Sequence, residues 1–241
     1  NEETKEKRGC AKTDYCRPKF AILNPELTCT LPPYQTASGC TDIIVHTLER
    51  YFTKPGVTSL PLTDGMAEAL LRNVMRNARL ALQKPADYDV RAEIMWAGTL
   101  SHNDITGDRS QGDWASHQLE HELGGMFDIA HGAGLAAIWG SWARYVLKQN
   151  PCRFAQLAVN ILNVPYSFGN DEKTALEGIA AMEDFFRSIG MPTSISDMEI
   201  ELTDTQIKEL AHKCSFMGRR TIGGFVTLNA ADMENIYRMA R

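Results

Sequence analysis

Apolar residues recur every three to four positions along most of this chain, a period that predicts helices. Between Asp64 and Leu82, the residues Met66, Leu70, Val74, Ala78 and Leu82 fall every fourth position, with Thr63 or Asp64 placed to cap the start. Val90, Ile94, Ala97 and Leu100 make a second stripe. Leu176, Ile179, Ala180, Met182 and Phe186 make a third, within Asp171–Ile189, and it stops at Gly190 with Pro192 beyond. Thr203 and Gln206 have the spacing of a capping box, with Leu202 and Ile207 as its hydrophobic staple. A last helix is expected from about Asn229, burying Met233, Ile236, Tyr237 and Ala240. After residue 60 the main strand candidate is TIGGFVTL (Thr221–Leu228), which also reads as a loop.

Residues 1–35 have a different pattern. KFAILNP (Lys19–Pro25) is a short apolar run stopped by Asn-Pro, the mark of a buried strand, and TLPPYQ (Thr30–Gln35) is expected to break regular structure at Pro32 and Pro33. The expected organisation is a strand-containing remnant and connector over 1–35, then an all-helical domain of about eight helices over 36–241, so the fold class is mainly α. Asn1 stands first, and NEETKEKRG is too polar for a secretory signal or for the start of a domain core, so an internal start is expected.

Composition narrows the function. The 241 residues carry a net charge of -5 without a sustained basic run, which argues against a nucleic-acid partner. No stretch reaches the roughly 20 apolar residues of a membrane span. The six cysteines (Cys10, Cys16, Cys29, Cys40, Cys152 and Cys214) form no CxxC pair or dense framework. They read as reduced thiols of a cytoplasmic protein.

The chemistry concentrates in HQLEHELGGMFDIAHG (His117–Gly132), which holds three of the six histidines. His117 and His121 lie four apart in a segment read as helix from about Asp113 to Leu123, so their side chains share a face. Gly124 and Gly125 are expected to end that helix and let His131 approach the same point. The plainer alternative is a partly exposed polar face, with Glu120 and Glu122 as salt-bridge formers. Upstream, Asp42 and His46 are again four apart among the apolar residues Ile43, Ile44, Val45 and Leu48. A carboxylate and an imidazole buried together need pairing or a metal. Asp42, His46, His117 and His131 therefore make a candidate ligand set of one oxygen and three nitrogens, suited to Fe(II), Zn(II) or another borderline divalent ion. His121 would stand beside the metal as a substrate-orienting or proton-handling group. His102, in SHND, reads as a polar helix end, and His212 as surface. GAGLAA (Gly132–Ala137) matches the GxGxxA form of a dinucleotide loop but lacks a preceding strand, so its glycines read as packing residues.

The spacing Asp42-x3-His46, then His117-x3-His121-x9-His131-Gly132, resembles the iron-containing (group III) alcohol dehydrogenases. NPELTCTLPPYQTASGCTD, HTLERYFTKP and KPADYDVRAEIMWAGTLSHND are similar to their butanol-dehydrogenase branch. The resemblance implies the helical, metal-holding C-terminal half of a two-domain enzyme. In the family, an N-terminal α/β domain with a glycine-rich GGGS loop binds the dinucleotide; that loop is not in this sequence, so activity of this chain alone is doubtful. It implies Asp42, His46, His117 and His131 as ligands of Fe2+, with Zn2+ the alternative. It also implies NADP or NAD as cofactor, His121 near nicotinamide and substrate, and Lys7 at the cofactor ribose. The expected reaction is hydride transfer between NAD(P)H and a small aldehyde or primary alcohol, with a homodimer as the expected assembly. Two other readings stay open. One is a Zn or Fe hydrolase using Glu120 or Glu122 as base; the other is an inactive helical fragment.

Overall fold

The computed structural model describes residues 3–4, 15, 18–53, 60–107 and 112–241. Nine α-helices run among the described residues: α1 Pro33–Tyr51, α2 Pro61–Gln83, α3 Tyr88–His102, α4 Ala115–Phe127, α5 His131–Val146, α6 Pro151–Leu162, α7 Asp171–Ser188, α8 Asp204–Cys214 and α9 Ala230–Ala240. No strand forms among the described residues beyond an isolated bridge between Ile222 and Leu228, which resolves the TIGGFVTL segment as a loop. No helix among them is long and apolar enough to cross a membrane.

Helix α5 is the hub. Its sequence is apolar or small nearly all round, and a helix of that kind must be enclosed by others. Gly132 to Ala143 are buried, and α1, α4, α7 and α9 pack against them. Trp139 and Trp142 sit in this core with Phe52, Phe154 and Phe186. Helices α6 and α7 form a close hairpin, in which a Cβ on Gly178 would stand 2.4 Å from the Ala158 Cβ. At the far end of α1, Arg153 donates to both oxygens of Asp64 at 2.6 and 2.7 Å and to the Tyr51 carbonyl, joining α1, α2 and α6.

Both predicted C-terminal helix starts form. Thr203 and Gln206 make a complete capping box, as do Asn229 and Asp232. Helix α7 ends before Gly190 (φ 77°), the left-handed position expected there.

Four expectations are corrected. KFAILNP is not a buried strand: it is irregular, with Phe20 80% and Ile22 84% exposed, and no strand lies among the described residues to pair with it. Pro33 opens α1 instead of breaking structure, since proline has no N–H to lose in a first turn. Neither Thr63 nor Asp64 caps α2, which starts earlier, at Pro61, and leaves Asp64 free to bind Arg153. Gly124 and Gly125 do not end α4. The helix runs on to Phe127, and Asp128 in the left-handed region (φ 53°) makes the reversal, its N–H donating to the Gly124 carbonyl. Glycine lowers helix propensity by about 1 kcal/mol, which the packing of α4 against α5 and α8 outweighs. Cys29, Cys40, Cys152 and Cys214 are free thiols, and Lys7, Cys10 and Cys16 lie outside the described residues.

Candidate metal centre

Helix α1 sets the floor of the site. Asp42, His46 and Glu49 lie at i, i+4 and i+7, so one face carries all three, while Ile44, Val45 and Leu48 are buried in the core. Helix α4 adds His117, Glu120 and His121, and α5 contributes His131 as its first residue.

Two glycines bring these elements together. A Cβ on Gly132 would lie 2.0 Å from the Ser38 carbonyl oxygen, so the start of α5 rests on the backbone of α1. The Gly132 N–H also donates to Ser38 Oγ at 3.1 Å. A Cβ on Gly134 would meet the Glu120 Cγ at 2.8 Å. The GAGLAA glycines are thus packing residues, as expected from the missing strand.

The four predicted ligands converge. Asp42 Oδ1 stands 3.4 Å from His117 Nε2, 3.4 Å from His131 Nε2 and 3.6 Å from His46 Nε2. Atoms bonded at about 2.0–2.1 Å to one tetrahedral ion lie roughly 3.4 Å apart, which the Asp42–His117 and Asp42–His131 separations match; donor atoms of these three residues lie within 4.8 Å of one another, while His46 lies that close to Asp42 and His102. Asp42 Oδ1 and His117 Nε2 are also buried without a hydrogen-bond partner, a costly state that a shared ion relieves. The His121 ring centroid lies 5.7 Å from that of His131 and 6.2 Å from that of His117, alongside the convergence point.

Carboxylates behind the imidazoles set their orientation. Glu49 Oε2 accepts from His117 Nδ1 at 2.5 Å, and Glu49 Oε1 accepts from the His117 backbone N–H at 3.1 Å. Glu120 accepts from His131 Nδ1. Each bond puts the proton on Nδ1 and aims the Nε2 lone pair inward, the outer-shell arrangement of metal-bound histidines. Glu120 and Glu122 are therefore not surface ion-pair formers: both are buried.

The charges favour a cation. Burial pushes Asp42 up, but the imidazoles of His102, His117 and His131 that face it outweigh burial and hold the carboxyl well below its usual range. Burial pulls His117 down, yet the Glu49 charge and the facing Asp42 carboxylate raise it to about 10, so a metal ion at Nε2 would displace a proton from that nitrogen. His131 shifts up in the same sense, with Asp42 and Glu120 overcoming burial. His46 goes down to about 2, through burial and then the positive charge of His117.

Two outer features went unread in the sequence. Glu49 shares a face with Asp42 and His46, and the i, i+4, i+7 spacing was there to show it. His102 is the second. It was expected as a simple polar helix end, yet its Nε2 lies 3.4 Å from Asp42 Oδ2 and its ring stacks on His46 with centroids 3.9 Å apart. Nothing in its own segment signals this, because the contact depends on how α3 packs on α1. His212 is exposed, as expected. Trp114, in the left-handed region (φ 59°), walls the site, its ring 5.3 Å from His46 and 5.4 Å from His117.

Among the described residues the fold is a helical domain that gathers a carboxylate and three imidazoles from three of its helices, an arrangement able to hold a divalent ion. The model of the Fe-containing alcohol dehydrogenase family, C-terminal, matches residues 36–241, and the chain belongs to that family. It is 37% identical over 238 residues to a probable NADH-dependent butanol dehydrogenase of Bacillus subtilis, covering 99% of this chain and 60% of that protein. It is 34% identical over 227 residues to an NADPH-dependent aldehyde reductase of Escherichia coli, covering 94% of this chain and 57% of that protein. The crystal structure of NADH-dependent butanol dehydrogenase A from Thermotoga maritima superposes with a TM-score of 0.91 at 32% identity, over 100% of this chain and 60% of that one. The chain thus spans about 60% of the length of the curated relatives it matches.

Proposed function

We propose that this chain is the metal-holding part of an NAD(P)H-dependent alcohol dehydrogenase or aldehyde reductase acting on small aldehydes and primary alcohols. The observation that carries the reading is the convergence of His46, His117 and His131 Nε2 on Asp42 Oδ1. The names of the relatives, butanol dehydrogenases and an aldehyde reductase, support the substrate class.

Asp42, His46, His117 and His131 would hold a divalent ion, iron by family and zinc by donor chemistry. Such an ion supplies Lewis-acid polarisation of a carbonyl oxygen. Glu49 and Glu120 hold protons on the Nδ1 atoms of His117 and His131, which keeps the Nε2 atoms free to bind. His121 lies next to the ligands without joining the convergence on Asp42, and handles a proton at an imidazole nitrogen as the alcohol forms. NADH or NADPH would supply the hydride from the part of the enzyme that reads the ribose. A role for Lys7 there remains part of the proposal, as does a cytoplasmic, homodimeric enzyme whose dinucleotide domain lies mostly outside this chain. The hydrolase reading is weaker, because Glu120 is committed to His131 Nδ1.

The test is aldehyde-dependent oxidation of NADPH and NADH by the complete enzyme. Activity with neither, in metal-replete enzyme, would overturn the reading. His117→Ala is expected to remove bound metal, measured by elemental analysis, together with nearly all turnover. His121→Ala is expected to retain stoichiometric metal and lower kcat by about 10²-fold or more, in line with losing one acid–base group.

A further inference from the structure

Helix α2 carries Arg72, Arg76 and Arg79 at i, i+4 and i+7, so one exposed face holds three guanidiniums. They rim a cleft of about 300 Å³ between α2, the end of α6 and α7. Its floor is apolar: Met75, Ile161 and Phe185 are buried there. Two of the arginines are held in place. Arg72 Nη1 donates to the Asn160 carbonyl oxygen at 2.6 Å, in the last turn of α6. Arg79 Nε donates to Ser188 Oγ at 3.2 Å, and its guanidinium lies 5.0 Å from the Phe185 ring centroid. Each of those bonds uses one nitrogen of a fork with five N–H donors, so most donors stay available to the cleft. Arg76 makes no side-chain hydrogen bond or ion pair among the described residues.

No carboxylate answers this charge. Among the described residues none of the three arginines pairs with Asp or Glu, whereas Arg50, Arg144, Arg153 and Arg187 each do, in a chain of net charge -5. Like charges one turn apart repel, and a bound anion relieves that cost. We propose that this cleft binds the di- or triphosphate group of a small anion. The three arginines span about 10 Å of the helix axis, more than a single phosphate covers, so a chain of phosphates engages them together. Guanidinium forks match phosphate oxygens in pairs. The apolar floor keeps water from one side and strengthens each contact. The lining residues are separate from Asp42, His46, His117 and His131, and from Glu49 and Glu120 behind them.

The experiment is calorimetric titration of the chelator-stripped 241-residue chain with tripolyphosphate and, in a second arm, with ATP. It is run at about 0.15 M salt, where loose surface attraction is screened. One anion per chain is expected. Arg76→Gln should weaken it about tenfold or more, the cost of losing charge-assisted hydrogen bonds. Arg76 is exposed and makes no hydrogen bond, so the variant keeps the fold, which circular dichroism checks. Arg219→Gln, on the loop after α8, should change nothing, and His117→Ala should also leave binding intact. Equal affinity for the two probes means that the phosphate chain alone is recognised, and tighter ATP means that a nucleotide carries it. No saturable binding, or equal weakening by Arg76→Gln and Arg219→Gln, would overturn the proposal. So would binding lost in His117→Ala and unchanged in Arg76→Gln, which would place the anion at the metal centre.

Discussion

At the scale of single residues, the site depends on which atoms of each side chain are already engaged. His117 and His131 can each offer Nε2 because Nδ1 is engaged by a buried carboxylate. Glu49→Gln removes the charge behind His117 while keeping its shape. It is expected to weaken metal binding by about 10–100-fold, the usual cost of losing an outer-shell partner, read by competition with a chromophoric chelator. Unchanged affinity would mean that Glu49 serves folding alone. Asp42 with His46, and His117 with His121, were legible because i, i+4 spacing on a helix forces a shared face. Glu49 was legible by the same rule. His102 was not, since one residue's position relative to a distant helix is no property of its own segment.

At the scale of elements, two helix contacts determine whether those residues meet. The α1–α5 approach at Gly132 leaves no room for a side chain, because the Ser38 carbonyl occupies the Cβ position. Gly132→Ala must push the start of α5 outward and carry His131 away from Asp42. The expected cost is about 1–3 kcal/mol of stability, typical of overpacking, together with a measurable drop in metal affinity. Thermal melts and the chelator assay on the same variant check both. The helices themselves followed from periodicity, and the Thr203–Gln206 cap from its spacing. The ends of α4 and the state of KFAILNP did not follow. A glycine pair permits a break without requiring one, and an apolar run becomes a strand only beside another strand.

At the scale of the whole molecule, the Arg153–Asp64 pair fastens α6 to α1 and α2. Burial pushes Asp64 up, but the hydrogen bonds and charge of Arg153 outweigh it and hold the carboxyl below its ordinary value. A carboxyl depressed on folding contributes its stability above the unfolded pKa of about 4, and that contribution is lost as pH falls through the lower folded value. Asp64→Asn is therefore expected to cost about 2 kcal/mol at pH 7, less than a fully buried pair because the site is partly wetted. The difference should shrink as pH falls from the unfolded value through the lower folded one, as urea melts at pH 7 and in acid will show. A deficit that persists unchanged in acid would place the effect in packing.

The order of helices, their buried faces, two of their caps and the metal-ligand candidates are local properties. Each is a matter of residue type and spacing over a turn or two, and the chain states them outright. The meeting of Asp42 with His131, 89 positions away, belongs to the tertiary structure. So do the burial of Glu120 behind His131 and the recruitment of His102 to Asp42. Each depends on how closely two helix backbones approach, and that is settled by the volumes of all the side chains between them together.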